Sequence, residues 1–307
     1  MVVRQLEYLV ALAREKHFGR AADACHVTQP TLSAGIRQLE EHLGAPIVER
    51  GNRYVGLTPQ GRLALEHAHR ILAETEAMRR DIEELDKGLA GRLRLGAVPT
   101  ALPILSHLTT PFIARYPSVT VTSLSLTSQE IRRRLDDFEL DVGLTYLENE
   151  PLEHVKAKPI YEEDYVFLTP LTSPFADRGA ISWKEAASAP LCLLTPDMQN
   201  RRIIDGVFRS VGATPQPSVE TNSIFDLVSH ASAGRCSSIV PRQLLRILGE
   251  PRNTRALELV EPTARRTIGL IMADREPPSP LARKLFAIEH EADLAALAEA
   301  PLRQERR

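Results

Sequence analysis

Phe18-Gly-Arg-Ala-Ala-Asp-Ala-Cys-His-Val-Thr-Gln-Pro-Thr-Leu-Ser33 is the stretch that decides how the N-terminal part of this chain folds. Phe18, Ala21, Ala22 and Cys25 are spaced i, i+3, i+4 and i+7, which places them on one face of a helix. Thr28 then offers a side-chain oxygen to cap a second helix, with Val27 and Leu32 at the positions of a hydrophobic staple. Pro30 falls in the first turn, where its missing N–H costs little. Leu32, Ile36, Leu39 and Leu43 form the expected buried face, and Gly44 ends the helix. Two helices joined by a tight turn, the second with a polar first turn, make a helix-turn-helix.

Upstream, Leu6, Leu9, Val10 and Ala13 give one more apolar stripe at helical spacing. Downstream, Gly51-Asn52 is a turn signal inside Arg50 to Leu57, which reads as a small hairpin or wing. Thr58-Pro59 opens another helix, with Thr58 as cap and Pro59 at the first helical position. That helix is expected to run to about Leu89. Ala68, Thr75, Ile82 and Leu89 form one heptad row, and Ile71, Met78 and Leu85 the other. A long helix with so narrow an apolar seam needs a partner, which is either a second copy or the chain's own C-terminal domain. Its polar outer faces favour the second copy.

Lys87-Gly88-Leu89-Ala90-Gly91 marks a boundary, after which the rhythm becomes strand, helix, strand. Strands are expected at Arg92–Val98, Val119–Ser125 and Leu140–Tyr146, with helices at Pro99–Ala114 and Ser128–Phe138. The pattern resumes near Glu163. Strands follow at Tyr165–Leu168, Leu191–Leu194, Ser237–Val240 and Arg265–Met272, with helices at Met198–Val211, Ile224–Ala233 and Pro280–Leu297. Such alternation implies a mainly parallel sheet covered by helices. The expected division is residues 1–58 for the winged helix-turn-helix, 59–89 for the dimerising helix and 90–307 for a two-lobed domain. Lobe I would take residues 90–162 and 266–307, and lobe II residues 163–265.

The net charge of −2 does not advertise a nucleic-acid partner, so any DNA binding must rest on a few placed residues. No stretch approaches the roughly 18 apolar residues of a membrane span. Met1 to Tyr8 enters a charged amphipathic helix with no signal-peptide core, so a cytoplasmic location is expected. Cys25, Cys192 and Cys236 are odd in number and far apart, and read as buried reduced thiols. No metal site and no cofactor is expected.

Taken in order, these features resemble the LysR-type transcriptional regulators from end to end. Ala21-Ala22, Gln29-Pro30, Leu39-Glu40 and Leu57-Thr58-x-x-Gly61 carry the resemblance, with Leu43-Gly44 and Glu49-Arg50 between them. It implies a multidomain fold: an all-α winged helix-turn-helix, a long coiled-coil linker helix, and an α/β two-lobed domain like the periplasmic binding proteins. It also implies homotetramers built as dimers of dimers, a small-molecule effector and double-stranded promoter DNA, with RNA polymerase a candidate partner. Thr28, Gln29, Pro30, Thr31 and Ser33 would face the major groove, and Gln29 has the amide geometry to read adenine. Arg37 is placed for phosphate, and Arg50 and Arg53 on the wing for the backbone or minor groove. Ala34 departs from relatives that carry a basic residue there.

In the two-lobed domain, Pro99 and Thr100 follow the first strand and Ser128 opens the second helix. By resemblance, Thr100 and Ser128 occupy hydroxyl positions that hold effector carboxylates, with Thr195, Gln199 and Asn222 facing them. Ordinary helix capping accounts for the two hydroxyls nearly as well. Exposed N–H groups at helix starts favour an anion there, small carboxylates being candidate effectors.

Three other classes compete with this reading. An enzyme would need a nucleophile elbow, a P-loop or a zinc-protease motif, and none is present. A solute-binding protein shares the C-terminal pattern but not the DNA module. A thiol-based redox-sensing regulator shares the N-terminal sequence, yet needs a reactive cysteine in the loop that starts lobe II's helix, and Leu194 to Arg202 contains none.

Overall fold

The computed structural model describes residues 2–50, 54–87, 89–274 and 279–288. The chain divides into two compact units, Met1–Gly88 and Leu89–Arg307.

The first unit contains α1 (Val3–Glu15), α2 (Phe18–Ala24), α3 (Gln29–Leu43), β1 (Val48–Arg50), β2 (Tyr54–Leu57) and α4 (Pro59–Lys87). Leu9 and Leu12 of α1, Ala21 and Ala22 of α2, and Leu32, Ile36 and Leu39 of α3 close one core, joined by Ala68 of α4. His17 caps α2 by accepting the N–H groups of Gly19 and Arg20 at Nδ1, and Thr28 caps α3 by accepting that of Thr31. Gly44, at φ 68°, ends α3 in the left-handed region that costs a glycine least. Leu43, expected inside, is 44% exposed because it lies on the last turn before that cap.

The short motifs have packing reasons. Glu40 accepts the N–H groups of Ile47 and Val48 at Oε1, which fastens α3 to the wing. Thr58 accepts the Gly61 N–H and donates to the Pro46 carbonyl, capping α4 while tying it to the same segment. Gly61 lies so close to that segment that a Cβ would meet the Ile47 carbonyl oxygen at 1.9 Å. The wing is the antiparallel pair β1–β2, with Val48 opposite Leu57. Along α4, Ile71, Met78 and Ile82 are exposed in the single chain. The side chain of Leu85 lies outside those described. Leu89, read as the last heptad position, is instead buried in the core of the second unit.

The second unit begins with β3 (Gly91–Ala97), a 3-10 segment (Pro99–Ile104) and α5 (Leu105–Arg115). β4 (Val119–Ser125), α6 (Ser128–Asp136), β5 (Val142–Tyr146) and β6 (Val155–Pro170) follow. Next come β7 (Ala180–Ser182), α7 (Trp183–Ala186), β8 (Leu191–Leu194), α8 (Gln199–Ser210), β9 (Pro217–Thr221) and α9 (Ile224–Ser232). The chain closes with β10 (Ser237–Pro241), α10 (Arg242–Leu248), β11 (Thr254–Val260), β12 (Arg265–Ala273) and α11 (Pro280–Ala287). The helix expected to start at Pro99 begins as a 3-10 turn, because Pro103 has no N–H for an α-helical bond.

The strands join in the order β4-β3-β5-β12-β6-β10-β8-β9, with β11 also on β6 and β7 on β11. β3 is parallel to β4 and β5, and β8 to β9 and β10, so each lobe holds a parallel set. β6 serves both lobes. It pairs with β12 from Val155 to Asp164, then with β10 and β11 from Tyr165 onward. Only Tyr165–Leu168 is expected of this strand from the sequence, since Lys156, Lys158 and Pro159 break its apolar alternation. The described part of the last helix ends at Ala287, where Lys158 donates to the carbonyls of Phe286 and Ile288. Residues 289–307, including the rest of the expected helix, lie outside the described residues.

Candidate DNA-reading helix and effector cleft

The exposed edge of α3 carries most of the expected DNA-contact residues. Thr28, Gln29, Pro30, Thr31 and Arg37 are exposed and Ser33 is half-buried, opposite the buried Leu32, Ile36 and Leu39. Thr28 and Thr31 are engaged locally, their hydroxyls 2.8 Å apart, which fixes the first turn. The backbone of Arg50 pairs with Tyr54 in the wing. The Arg50 side chain and all of Arg53 lie outside the described residues.

In the second unit, four of the expected cleft residues, Pro99, Thr100, Ser128 and Gln199, lie just beyond the carboxyl ends of β3, β4 and β8, where open α/β sheets place their ligands. Pro99 and Thr100 are buried in the 3-10 turn after β3. The hydroxyls of Thr100 and Tyr146 are 2.9 Å apart. Gln199, in the first turn of α8, accepts from Thr145 at 3.1 Å and donates to the Glu148 carbonyl at 3.1 Å. Asn200 donates to the Tyr146 hydroxyl, also from α8. Arg202 donates to Ser128, the buried first residue of α6, at 3.2 Å, and also to the Glu150 carboxylate. The first turn of α8 in lobe II is thus hydrogen-bonded directly onto lobe I.

Two expected residues stand apart. Thr195 bonds through its backbone N–H to the Thr221 carbonyl, while its buried hydroxyl has no partner among the described residues. Asn222 is exposed in the turn after β9.

Behind this interface lies a group that the sequence reading missed. Tyr146 donates to Glu163 at 2.5 Å and Tyr161 does so at 3.5 Å, with Glu163 fully buried. Burial pushes the Glu163 carboxyl up to about 7, against the opposing pull of the tyrosine hydroxyls. Burial, and then the neighbouring Glu163 charge, holds the Tyr146 and Tyr161 hydroxyls well above their ordinary value. Asn200, Glu150 and Arg202 were missed as well. The only sequence signal available was their position at strand ends and a helix start.

The cysteines are all unpaired, with Cys192 and Cys236 buried. Burial pushes the Cys192 thiol up to about 12, and Cys236 and Asp226 add to the effect. A separate cavity of about 240 Å³ opens beside Arg242, Asp164 and Glu258 in lobe II. Arg242 is already paired with both of those carboxylates. Among the described residues no cluster of three or more His, Cys, Asp or Glu is placed to hold a metal. No described helix is long and apolar enough to cross a membrane.

The lysR-family bacterial regulatory helix-turn-helix domain matches residues 3–62, and the LysR substrate binding domain matches residues 86–293. The DNA-binding transcriptional dual regulator OxyR of Escherichia coli K12 is 30% identical over 282 residues, covering 92% of this chain and 91% of its own. A full-length OxyR variant from Pseudomonas aeruginosa, with one cysteine replaced by aspartate, superposes with a TM-score of 0.71 at 26% identity, covering 95% of this chain and 96% of that one. CbnR in complex with its target DNA shares the fold, with a TM-score of 0.65 at 22% identity over 93% of this chain and 98% of that one. The chain belongs to the LysR family of transcriptional regulators, with an N-terminal DNA-binding domain and a C-terminal effector-binding domain.

Proposed function

We propose that this regulator reads promoter DNA sequence-specifically with α3, works as a homodimer or homotetramer joined through α4, and answers a small anionic effector in the inter-lobe cleft. It would act in the cytoplasm, where its DNA is, without catalysing a reaction. The observation carrying the effector reading is that Thr100, Ser128 and Gln199, named from the sequence, converge where α8 meets lobe I. RNA polymerase remains a candidate partner for the DNA-bound assembly.

Gln29→Ala tests the DNA reading on an operator recovered by selection from a random duplex pool. It should cost about 1–3 kcal/mol on that operator and far less on unrelated duplex. Equal losses on both would remove Gln29 from base recognition. Arg53→Ala should weaken both alike and flatten the salt dependence. For the cleft, Thr100→Val and Ser128→Ala should weaken effector binding while leaving effector-free operator affinity unchanged.

The likeness to OxyR, and to relatives called hydrogen peroxide-inducible genes activators, is what favours a thiol-based redox-sensing reading instead. The chain's own cysteines speak against it. Met198 and its neighbours from Leu194 to Arg202 include no cysteine, and the Cys192 thiol sits in an apolar strand.

A further inference from the structure

The β5–β6 loop is held at two points. The Glu148 carboxylate accepts from the hydroxyl and N–H of Thr267, and the Pro151 carbonyl accepts from Arg132. Between these anchors Asn149 adopts φ 70°, a left-handed conformation that asparagine tolerates better than most residues. The loop therefore delivers Glu150 to a defined place. That place is Arg202, whose guanidinium is itself oriented by the carbonyls of Pro196 and Asp197 and whose Nη2 also reaches Ser128. Ser128 is only 3% exposed and opens α6. The Thr127 cap takes the Glu130 N–H, leaving the first N–H groups of that helix outside the cap.

A pre-oriented guanidinium, a buried hydroxyl and a helix N-terminus are the parts of a carboxylate site. Its present occupant is a carboxylate, supplied by the chain. We propose that Arg202 is the charged anchor for an effector carboxylate and that Glu150 is a built-in competitor which the effector displaces. The proposal rests on the inter-lobe cleft being the effector site, and adds to it a charged anchor and a residue that sets its threshold. Displacing Glu150 exchanges a bond within the chain for one to the ligand, so affinity is lowered by the occupancy of the internal pair. It also breaks a direct bond between α8 and the β5–β6 loop, giving a ligand bound in lobe II a route to lobe I.

The test uses the full chain and acetate, the smallest mimic of the Glu150 side-chain terminus, with acetamide as the uncharged control. Dissociation constants would be read by ligand-observed NMR at constant ionic strength. Glu150→Gln and Glu150→Ala should each bind acetate at least about 10-fold more tightly than the parent, because charge-assisted bonds of this kind are strong. Adding Arg202→Gln should abolish the gain, and acetamide should show none. No gain in either single variant, or a gain that survives Arg202→Gln, overturns the proposal. If the parent binds acetate in a manner weakened by Ser128→Ala but neither Glu150 variant gains, Glu150 displacement is overturned while the cleft reading stands.

Discussion

The Tyr146 hydroxyl donates to Glu163 at 2.5 Å, joining the end of β5 to β6 two residues before Tyr165, where β6 takes β10 as its neighbour in place of β12. A carboxyl taken out of bulk solvent, with no cation among the described residues bonded to it and the Asp164 charge beside it, is most stable neutral even though the tyrosine hydroxyls pull the other way. Its folded value of about 7 lies above the ordinary 4.5, so the folded chain holds this proton over a pH range where the unfolded chain has lost it. The stability it contributes is complete below about 4.5, declines as pH rises from there to about 7, and is level above. The whole decline is on the order of 3 kcal/mol. Glu163→Gln should remove it, so that the gap between parent and variant in urea midpoint changes between about pH 4.5 and 7 and is level above. Parallel profiles would place a water or a cation beside Glu163.

Gly61→Ala should destabilise the first unit by roughly 2–4 kcal/mol, since its Cβ meets backbone rather than a movable side chain. Gly206, within α8, has nothing within 4 Å of such a Cβ. Gly206→Ala should stabilise by about 0.5–1 kcal/mol through helix propensity. Thermal melts of the two variants would check both signs.

Ile82→Asp should lower the mass of the assembly in light scattering and abolish operator footprints. Ile82 is 57% exposed in the single chain, so the monomer fold should survive the change while a helix-to-helix seam should not. An unchanged mass with intact binding would assign dimerisation to another surface.

Cys192 should resist thiol-labelling reagents until the chain unfolds, because a thiol held near 12 carries almost no thiolate at neutral pH. A triple Cys→Ser variant should retain DNA binding and effector response. Loss of a peroxide-dependent transcriptional response in that variant would restore the thiol-sensor reading.

The N-terminal fold was legible because its signals are local. Thr28, Pro30 and Gly44 punctuate α3 within a few residues, and Thr58 and Gly61 act on each other across one helical turn. The lobes were legible as alternating elements, but β9, β11 and the first half of β6 were not, because charged and proline residues interrupt their patterns, and β7 was not because three residues are too few to show an alternation. Within the cleft, Thr100, Ser128 and Gln199 were reachable from strand ends and helix starts. Glu163 reads as an ordinary acid in a charged stretch until the fold surrounds it with Tyr146 and Tyr161. Arg202 and Glu150 stand 52 positions apart, and no spacing rule pairs residues at that distance.

Sixteen residues of β6 run from the strands of one lobe to those of the other, with one irregularity of register at Ile160. Its first stretch is paired with β12 and its second with β10 and β11, so the two lobes share the backbone of one strand. Twist in a paired strand is passed to its neighbours through the ladder hydrogen bonds, so a change of twist in β6 reaches strands on both sides at once.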